Sequence, residues 1–197
     1  MREVNHRSKN MLAVVQAIAR RTVATNPGEF IERFGERVRA LAASQDLLIE
    51  SGWRGVDLHE LVVSQLSHLK DLVDSRIELR GQPLQISASS AQVIGMAVHE
   101  LATNAVKYGA LSNASGRIDV CWCLEPGGGA GERFVMSWRE SGGPVVAESP
   151  ERRGFGSTVL CQVARESLDA EVKLDFAPSG LVWRLECAAA EAIGTKD

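Results

Sequence analysis

The sequence predicts an α+β protein in which a helical hairpin precedes an α/β sandwich, that is, one β-sheet covered by helices on one face. Residues 2–51 carry apolar side chains at the helical period and show no strand pattern. From residue 56 onward, helical and strand patterns alternate. Residues 51–55, Ser-Gly-Trp-Arg-Gly, have the composition of a linker. We therefore expect a hairpin domain over 1–52 and a second domain over 53–197.

Two helices separated by the break Thr25-Asn26-Pro27-Gly28 are expected in the first part. The apolar positions that recur near the helical period are Val4, Met11, Leu12, Val15, Ile18, Phe30, Phe34, Val38, Leu41 and Leu48. A hairpin this short cannot bury both apolar faces alone, so we expect it to pair with a second copy as a dimeric four-helix bundle. The alternative is that the hairpin folds back on the second part and leaves a monomer.

The second part is expected to begin with a helix that Asp57 caps and that runs to about Lys70. Short strands are expected on either side of Gly81-Gln82-Pro83, followed by a long helix from Ser90. Alternating apolar residues predict further strands at 118–122, 134–138, 171–176 and 181–185, with a hairpin loop at 126–131 and a helix at about 157–168.

The residues 98–109, Val-His-Glu-Leu-Ala-Thr-Asn-Ala-Val-Lys-Tyr-Gly, carry the strongest functional signal. Glu100, Asn104 and Lys107 are spaced i, i+4 and i+7, so they share one face of a helix that ends at a glycine. An amide oxygen suits Mg²⁺, which prefers hard oxygen ligands, and an ammonium group neutralises phosphate charge. The pattern therefore indicates a site for a metal-bound polyphosphate. The alternative is an ordinary amphipathic helix with a solvated polar stripe.

Two glycine-bearing turns follow this helix, Trp138-Arg139-Glu140-Ser141-Gly142-Gly143-Pro144 and Arg152-Arg153-Gly154-Phe155-Gly156-Ser157-Thr158. With the helix, they resemble the N, G1 and G2 boxes of the HWE sensor histidine kinases. That family is named for a His in the N box and a Trp-x-Glu in the first glycine box, which correspond here to His99, Trp138 and Glu140. The block Glu3-Val4-Asn5-His6-Arg7-Ser8-Lys9-Asn10 resembles the family's phosphoacceptor box, so the resemblance extends from about residue 3 to about residue 187.

The resemblance implies a fold shared with gyrase and the Hsp90 chaperones, with ATP and Mg²⁺ as cofactors. It implies an ATP-dependent protein-histidine kinase that autophosphorylates His6 and passes the phosphoryl group to an aspartate of a response regulator. The nucleotide-site residues that it implies are His99, Glu100, Asn104, Lys107, Tyr108, Glu140, Gly142, Gly143, Arg153, Gly154, Phe155, Gly156, Ser157 and Thr158. Asn104 is the implied Mg²⁺ ligand through the ATP phosphates, Glu140 would accept the adenine amino proton, and 141–153 would form a lid.

Further roles are expected beside His6, whose neutral imidazole is a competent nucleophile. Glu3 lies one turn before it and is placed either to hold or deprotonate the imidazole or to serve the helix dipole. Asn10 lies one turn after it and is placed to orient a water for hydrolysis of the partner's phosphoaspartate. His99 is rotated by about 100° from the Asn104 face, which indicates that it orients a neighbour. Trp138 is expected to be a core residue of the sheet rather than an adenine contact.

Composition limits the remaining possibilities. The net charge of −3 gives no basic field for nucleic acid. The sequence has no apolar run of about 18 residues and no signal-peptide pattern, so we expect a cytoplasmic protein. The four cysteines have no Cys-x-x-Cys pair, which argues against zinc and for reduced core thiols. Because kinases of this family usually carry an N-terminal sensory domain, we expect these 197 residues to be a catalytic fragment.

Two alternatives to a kinase stay open. The first is a histidine phosphotransferase, a dimeric scaffold of the same architecture whose ATP domain is silent. The second is an ATPase or chaperone-like module in which Glu100 activates water and His6 is incidental. Intact Asn104, Lys107 and Glu140 argue against the first, and the hairpin with its histidine argues against the second.

Overall fold

The computed structural model consists of a helical N-terminal part followed by a sheet domain. It describes residues 15–16, 18–20, 22, 26–127, 131–145 and 158–193. The helices are α1 (Pro27–Glu50), α2 (Leu58–Gln65), α3 (Ala88–Lys107), α4 (Ala164–Leu168) and α5 (Ala189–Ile193). The strands are β1 (Val56–Asp57), β2 (Ile77–Gly81), β3 (Gln85–Ile86), β4 (Arg117–Pro126), β5 (Glu132–Ser141), β6 (Glu171–Ala177) and β7 (Gly180–Ala188). Short 3₁₀ turns lie at Ser67–Leu72 and Ala110–Ser112, and a π-helical turn at Thr158–Val163 leads into α4.

Five strands form the main sheet in the order β2-β4-β5-β7-β6, and β1 and β3 form a separate antiparallel pair. Strand β2 runs parallel to β4, and the other neighbours are antiparallel. Trp138 lies opposite Val120 on one side and Trp183 on the other, and all three are fully buried. The predicted fold class is confirmed, because alternate residues of these strands form one core with α2 and α3.

Helix α1 begins at the break that the sequence predicted. The Asn26 side chain accepts a hydrogen bond from the Glu29 N–H at 2.9 Å, and Pro27 occupies the first turn, where a missing N–H costs nothing. Helical backbone also precedes the break at 15–16 and 18–20. The other positions of the first predicted helix lie outside the described residues.

Helix α1 packs against the second part of the chain. Leu48 is fully buried in the core of the sheet domain, while Leu41 packs with Ile18 and with Met96 of α3. Gln65 of α2 adds a polar link, since its Nε2 donates to the carbonyl of Ala40 and to the Ser44 hydroxyl. The described part of the hairpin is thus folded back, as in the alternative arrangement, and dimeric pairing stays a prediction.

Two predicted helix boundaries differ from the structure. Helix α2 ends at Gln65 rather than near Lys70, and a 3₁₀ turn follows at Ser67–Leu72. The apolar residues Leu66 and Leu69 are three residues apart, which is the repeat of a 3₁₀ turn, so the sequence pattern resembled a longer α-helix. Helix α3 begins at Ala88, with Ser87 as its cap, rather than at Ser90.

The strands on either side of Gly81-Gln82-Pro83 do not pair with each other, since β2 joins β4 and β3 joins β1. Within the described residues, no helix is both long enough and apolar enough to cross a membrane.

Candidate functional site

Helix α3 and the end of strand β5 meet at the candidate nucleotide site. Asn104 is partly buried, and the helix ends three residues later, so the chain turns at Gly109 toward β5. Glu140 stands near the end of β5, opposite Ile118, and is only 4% exposed. The two predicted motifs are therefore adjacent in space through the turn that follows α3.

Two hydrogen bonds fix the Glu140 carboxylate. The backbone N–H of Ala110 donates to Oε2 at 2.7 Å, and the indole N–H of Trp138 donates to Oε1 at 3.2 Å. Burial raises the pKa of Glu140, and these two hydrogen bonds partly oppose that rise because they favour the ionised form. Since each carboxylate oxygen has two lone pairs, the group keeps acceptor capacity for a ligand N–H.

Two glycines allow the turn after α3 to approach β5 closely. A Cβ on Gly109 would lie 2.1 Å from Oε2 of Glu140, and a Cβ on Gly143 would lie 2.7 Å from the Cα of Ala110. At Gly143 the clash would be with backbone, so that position requires glycine sterically, whereas a Cβ at Gly109 would have to push the Glu140 carboxylate out of its place. Gly142 has φ +66°, a conformation that glycine adopts without strain.

Glu100 contacts a residue that the sequence analysis did not select. Arg37 of α1 holds both of its carboxylate oxygens, with Nε 2.7 Å from Oε1 and Nη2 3.2 Å from Oε2. The N-box carboxylate therefore pairs with the hairpin in this structure. Sequence alone had no signal for this contact, because 63 residues separate the partners and a helical arginine is usually solvated.

Lys107 and His99 lie on the side of α3 that faces α1 and α2. The Lys107 ammonium is 3.7 Å from a Glu36 carboxylate oxygen, and the His99 ring is 5.9 Å from the ring of His68. A cavity of about 470 Å³ is lined there by Glu36, Arg39, Ala40, Ala43, Ser64, Gln65, Ser67, His68, Leu69, His99, Thr103, Val106 and Lys107.

Burial lowers the pKa of both histidines. The role expected for His99 beside ATP stays a prediction. Tyr108 is well exposed at the end of α3.

Several predicted site residues lie outside the described residues, namely Glu3, His6, Asn10, Arg153, Gly154, Phe155, Gly156 and Ser157. Thr158 begins the π-helical turn that leads into α4. The described site thus comprises the N-box helix, Glu140 and the glycine turns at 109 and 142–143.

The donor chemistry of these residues fits ATP and Mg²⁺. Asn104 of α3 is partly buried and carries a hard carbonyl oxygen, and Gly142 in the turn after β5 is exposed. Glu140 supplies a buried acceptor beside them. Among the described residues, no three His, Cys, Asp or Glu side chains gather as a metal site, so an ion here would depend on phosphate oxygens for most of its ligands.

The sequence matches one protein-family model and also aligns with individual proteins of known name. Residues 3–83 match the family model of the HWE histidine kinases. A blue-light-activated histidine kinase of Brucella anthropi is 42% identical over 185 residues, which cover 92% of this chain and 37% of the relative. The aligned part therefore extends past the family match, and the chain spans just over a third of that curated relative.

Solved structures with a similar fold are also histidine kinases. The blue-light activated histidine kinase of Erythrobacter litoralis has a TM-score of 0.67 at 22% identity, covering 96% of this chain and 58% of that one. The histidine kinase domain of the same protein has a TM-score of 0.61 at 16% identity, covering 94% and 95%. At these identities the comparison supports the fold, a helical part followed by a sheet domain.

Proposed function

The chain belongs to the HWE histidine kinase family, and on that premise we propose that it is an ATP-dependent protein-histidine kinase core. ATP with Mg²⁺ phosphorylates His6, and an aspartate of a response regulator then receives the phosphoryl group. The hairpin domain, 1–52, carries the phosphoacceptor and pairs two copies, and the ATP-binding domain is 53–197.

The observation that carries this proposal is the fixed carboxylate of Glu140. Its two hydrogen bonds come from Ala110, which directly follows the glycine turn of the N-box helix, and from Trp138 of the same strand. The two donors orient the carboxylate, and each oxygen keeps a further lone pair for the adenine amino group. A buried acceptor of this kind favours a hydrogen-bonding base over a merely apolar ligand.

The chemistry proposed for the described residues is binding and orientation. Asn104 would offer its side-chain oxygen to Mg²⁺, which neutralises charge on the ATP phosphates when it is bound. The His6 imidazole nitrogen forms a bond to the γ-phosphorus while the bond to the β,γ-bridging oxygen breaks, and ADP leaves with that electron pair. The regulator's aspartate oxygen then displaces the imidazole. The orienting roles of Glu3 and Asn10 belong to the same proposal.

Incubation with γ-labelled ATP and Mg²⁺ tests this function. Wild type should acquire a label that is labile to acid and stable to base, and His6→Ala and Asn104→Ala should lose it. His59→Ala is the matched control, since His59 is an exposed histidine of α2 and should leave the label unchanged. An unlabelled wild type, or full labelling of His6→Ala, would disprove the assignment.

The second candidate is the phosphotransferase scaffold with a silent ATP domain. One observation favours it: Glu100 and Lys107, two of the three polar N-box residues, have partners in α1. Nucleotide titration separates the two functions. Kinase function requires Mg²⁺-dependent ATP binding that Asn104→Ala weakens, whereas a silent domain would show no binding while His6 still accepts phosphate from a phosphorylated regulator.

A further inference from the structure

The ion pair between Arg37 and Glu100 joins the hairpin to the N box. The side chains are only 11% and 9% exposed, so water competes little for the pair. Each oxygen of the carboxylate accepts from its own guanidinium nitrogen, in the two-pronged geometry that makes arginine pairs strong and directional. Because the donor is a charged guanidinium, taking up a proton on this carboxylate would break an ion pair, so Glu100 cannot serve as a proton acceptor without losing its contact with Arg37.

The third nitrogen of the guanidinium is also bound. Nη1 of Arg37 donates to the Thr22 hydroxyl at 2.9 Å, and that hydroxyl donates to the carbonyl of Ile18 at 2.6 Å. Thr22 is buried, and Ile18 packs in the same small cluster as Met96 of α3. The orientation of Arg37 is therefore set by the segment before α1 as well as by Glu100.

Glu100 lies one helical turn before Asn104 on the same side of α3, where side chains four residues apart come within about 6 Å. If Asn104 serves metal-bound phosphates, a carboxylate at position 100 is one helical turn away from them. An unpaired carboxylate there would be a general base for water. Water and the His6 imidazole would then compete for the same γ-phosphoryl group.

We propose that Arg37 is a positioning residue that occupies both oxygens of Glu100, withholds this carboxylate from water at the nucleotide, and so suppresses ATP hydrolysis. The inference rests on the proposed function, since it presumes that ATP binds beside Asn104. In the suppressed reaction, the water oxygen forms a bond to the γ-phosphorus while the bond to the bridging oxygen breaks. ADP takes that electron pair, Glu100 takes the proton from water, and inorganic phosphate is released.

The test measures phosphate release from ATP and Mg²⁺ in chains that already carry His6→Ala, so that turnover of phosphohistidine cannot contribute. Adding Arg37→Met should raise the rate at least about tenfold, which is a conservative threshold below the ~100- to 10,000-fold that a well-positioned general base supplies. Adding Glu100→Gln as well should return the rate to its starting value. Arg33→Met is the matched control, because Arg33 lies one turn earlier on α1 and pairs with Glu29 of that same helix, and it should leave the rate unchanged.

A second variant guards against misfolding, since Arg37→Met leaves Glu100 buried without its partner. Arg37→Gln keeps an amide donor for one carboxylate oxygen and should give a smaller rise in the same direction. The dissociation constant for ADP, measured by titration, should stay within about threefold in all these variants, because Arg37 acts on Glu100 and not on the nucleotide.

The outcomes separate the two proposals. No rise in phosphate release with both Arg37 variants, or a rise that persists with Glu100→Gln, would overturn the role of Arg37 while leaving His6 labelling untouched. If Arg37→Met in the chain with His6 instead raises labelling and phosphate release in equal proportion, Arg37 clamps the helix and the inference is wrong. Absence of ADP binding in every variant would overturn the inference together with the kinase proposal.

Discussion

Trp138 and Glu140 show at the scale of single residues why a Trp-x-Glu spacing is useful. Residues two apart on a strand lie on the same face, so the indole N–H reaches the carboxylate of Glu140 on the strand that holds both. The sequence analysis predicted Trp138 as a core residue, and it is fully buried. The structure adds a second role, as a donor that orients the acidic group.

Trp138→Phe should weaken ATP binding about fivefold. Phenylalanine keeps most of the buried volume but removes the donor to Glu140, a loss of about 1 kcal/mol. The dissociation constant for ATP is the measurement. Trp122→Phe is the control, because the Trp122 indole donates to the Gln82 carbonyl, a bond that does not involve Glu140. Equal effects of the two substitutions on affinity would contradict the orienting role.

Gly109→Ala should reduce ATP affinity by at least about tenfold. The backbone of Gly109 has φ −105°, which any residue can adopt, so the effect must be steric: the new Cβ would meet Oε2 of Glu140 at 2.1 Å and displace it. Gly35→Ala is the control, since its Cβ would meet only the end of the Arg39 side chain at 3.6 Å. A Gly109→Ala chain that binds ATP normally would show that Glu140 needs no fixed position.

At the scale of elements, the alternation of apolar residues predicted where the strands lie better than it predicted which strands pair in the sheet. The alternation in β4, β5 and β7 was enough to locate them, because each buries one face in the core. The parallel pairing of β2 with β4 had no local signal, since a parallel neighbour is selected by the packing of the connecting elements.

The same limit applies to the candidate site. Glu140 and Asn104 could be selected as candidates because their motifs are local in sequence, whereas Arg37 was missed because only tertiary packing brings α1 to α3. The donor from Ala110 was missed for a related reason, since a backbone N–H is present at every non-proline position and carries no residue-type signal.

Helix α1 should stabilise the sheet domain measurably. A fragment of 53–197 lacks this helix. The loss of α1 exposes Met96 and removes the Ala40 carbonyl that accepts a hydrogen bond from the Gln65 side chain. Its unfolding midpoint should be at least about 5 °C lower than that of 26–197, which keeps α1 and its Asn26 cap. Thermal unfolding followed by circular dichroism measures the difference. Midpoints within about 2 °C would support independent domains divided at residue 52.

At the scale of the whole molecule, the net charge of −3 is small, so general charge repulsion contributes little to pH dependence near neutrality. The described groups with shifted pKa values therefore matter more. His68 and His99 lie in one cavity between α1, α2 and α3, and burial lowers both pKa values. Glu36 opposes the lowering of both pKa values, and Glu100 opposes it at His99, where His68 and Arg37 lower the pKa further.

The folded chain should lose stability as the pH falls below about 6.5, the ordinary pKa of histidine. Because the fold keeps both imidazoles neutral, the unfolded chain binds more protons in this range, and stability falls until the pH passes the lowered folded pKa values. The raised pKa of Glu140 acts with the opposite sign, since stability is lost as the pH rises above 4.5 and the buried carboxyl ionises.

The unfolding midpoint of wild type should therefore fall more steeply between pH 7.5 and about 5.5 than that of His68→Gln/His99→Gln, which isolates the histidine contribution. His59→Gln, on the exposed side of α2, should match wild type, and equal slopes in wild type and the double variant would show that the cavity does not couple to folding.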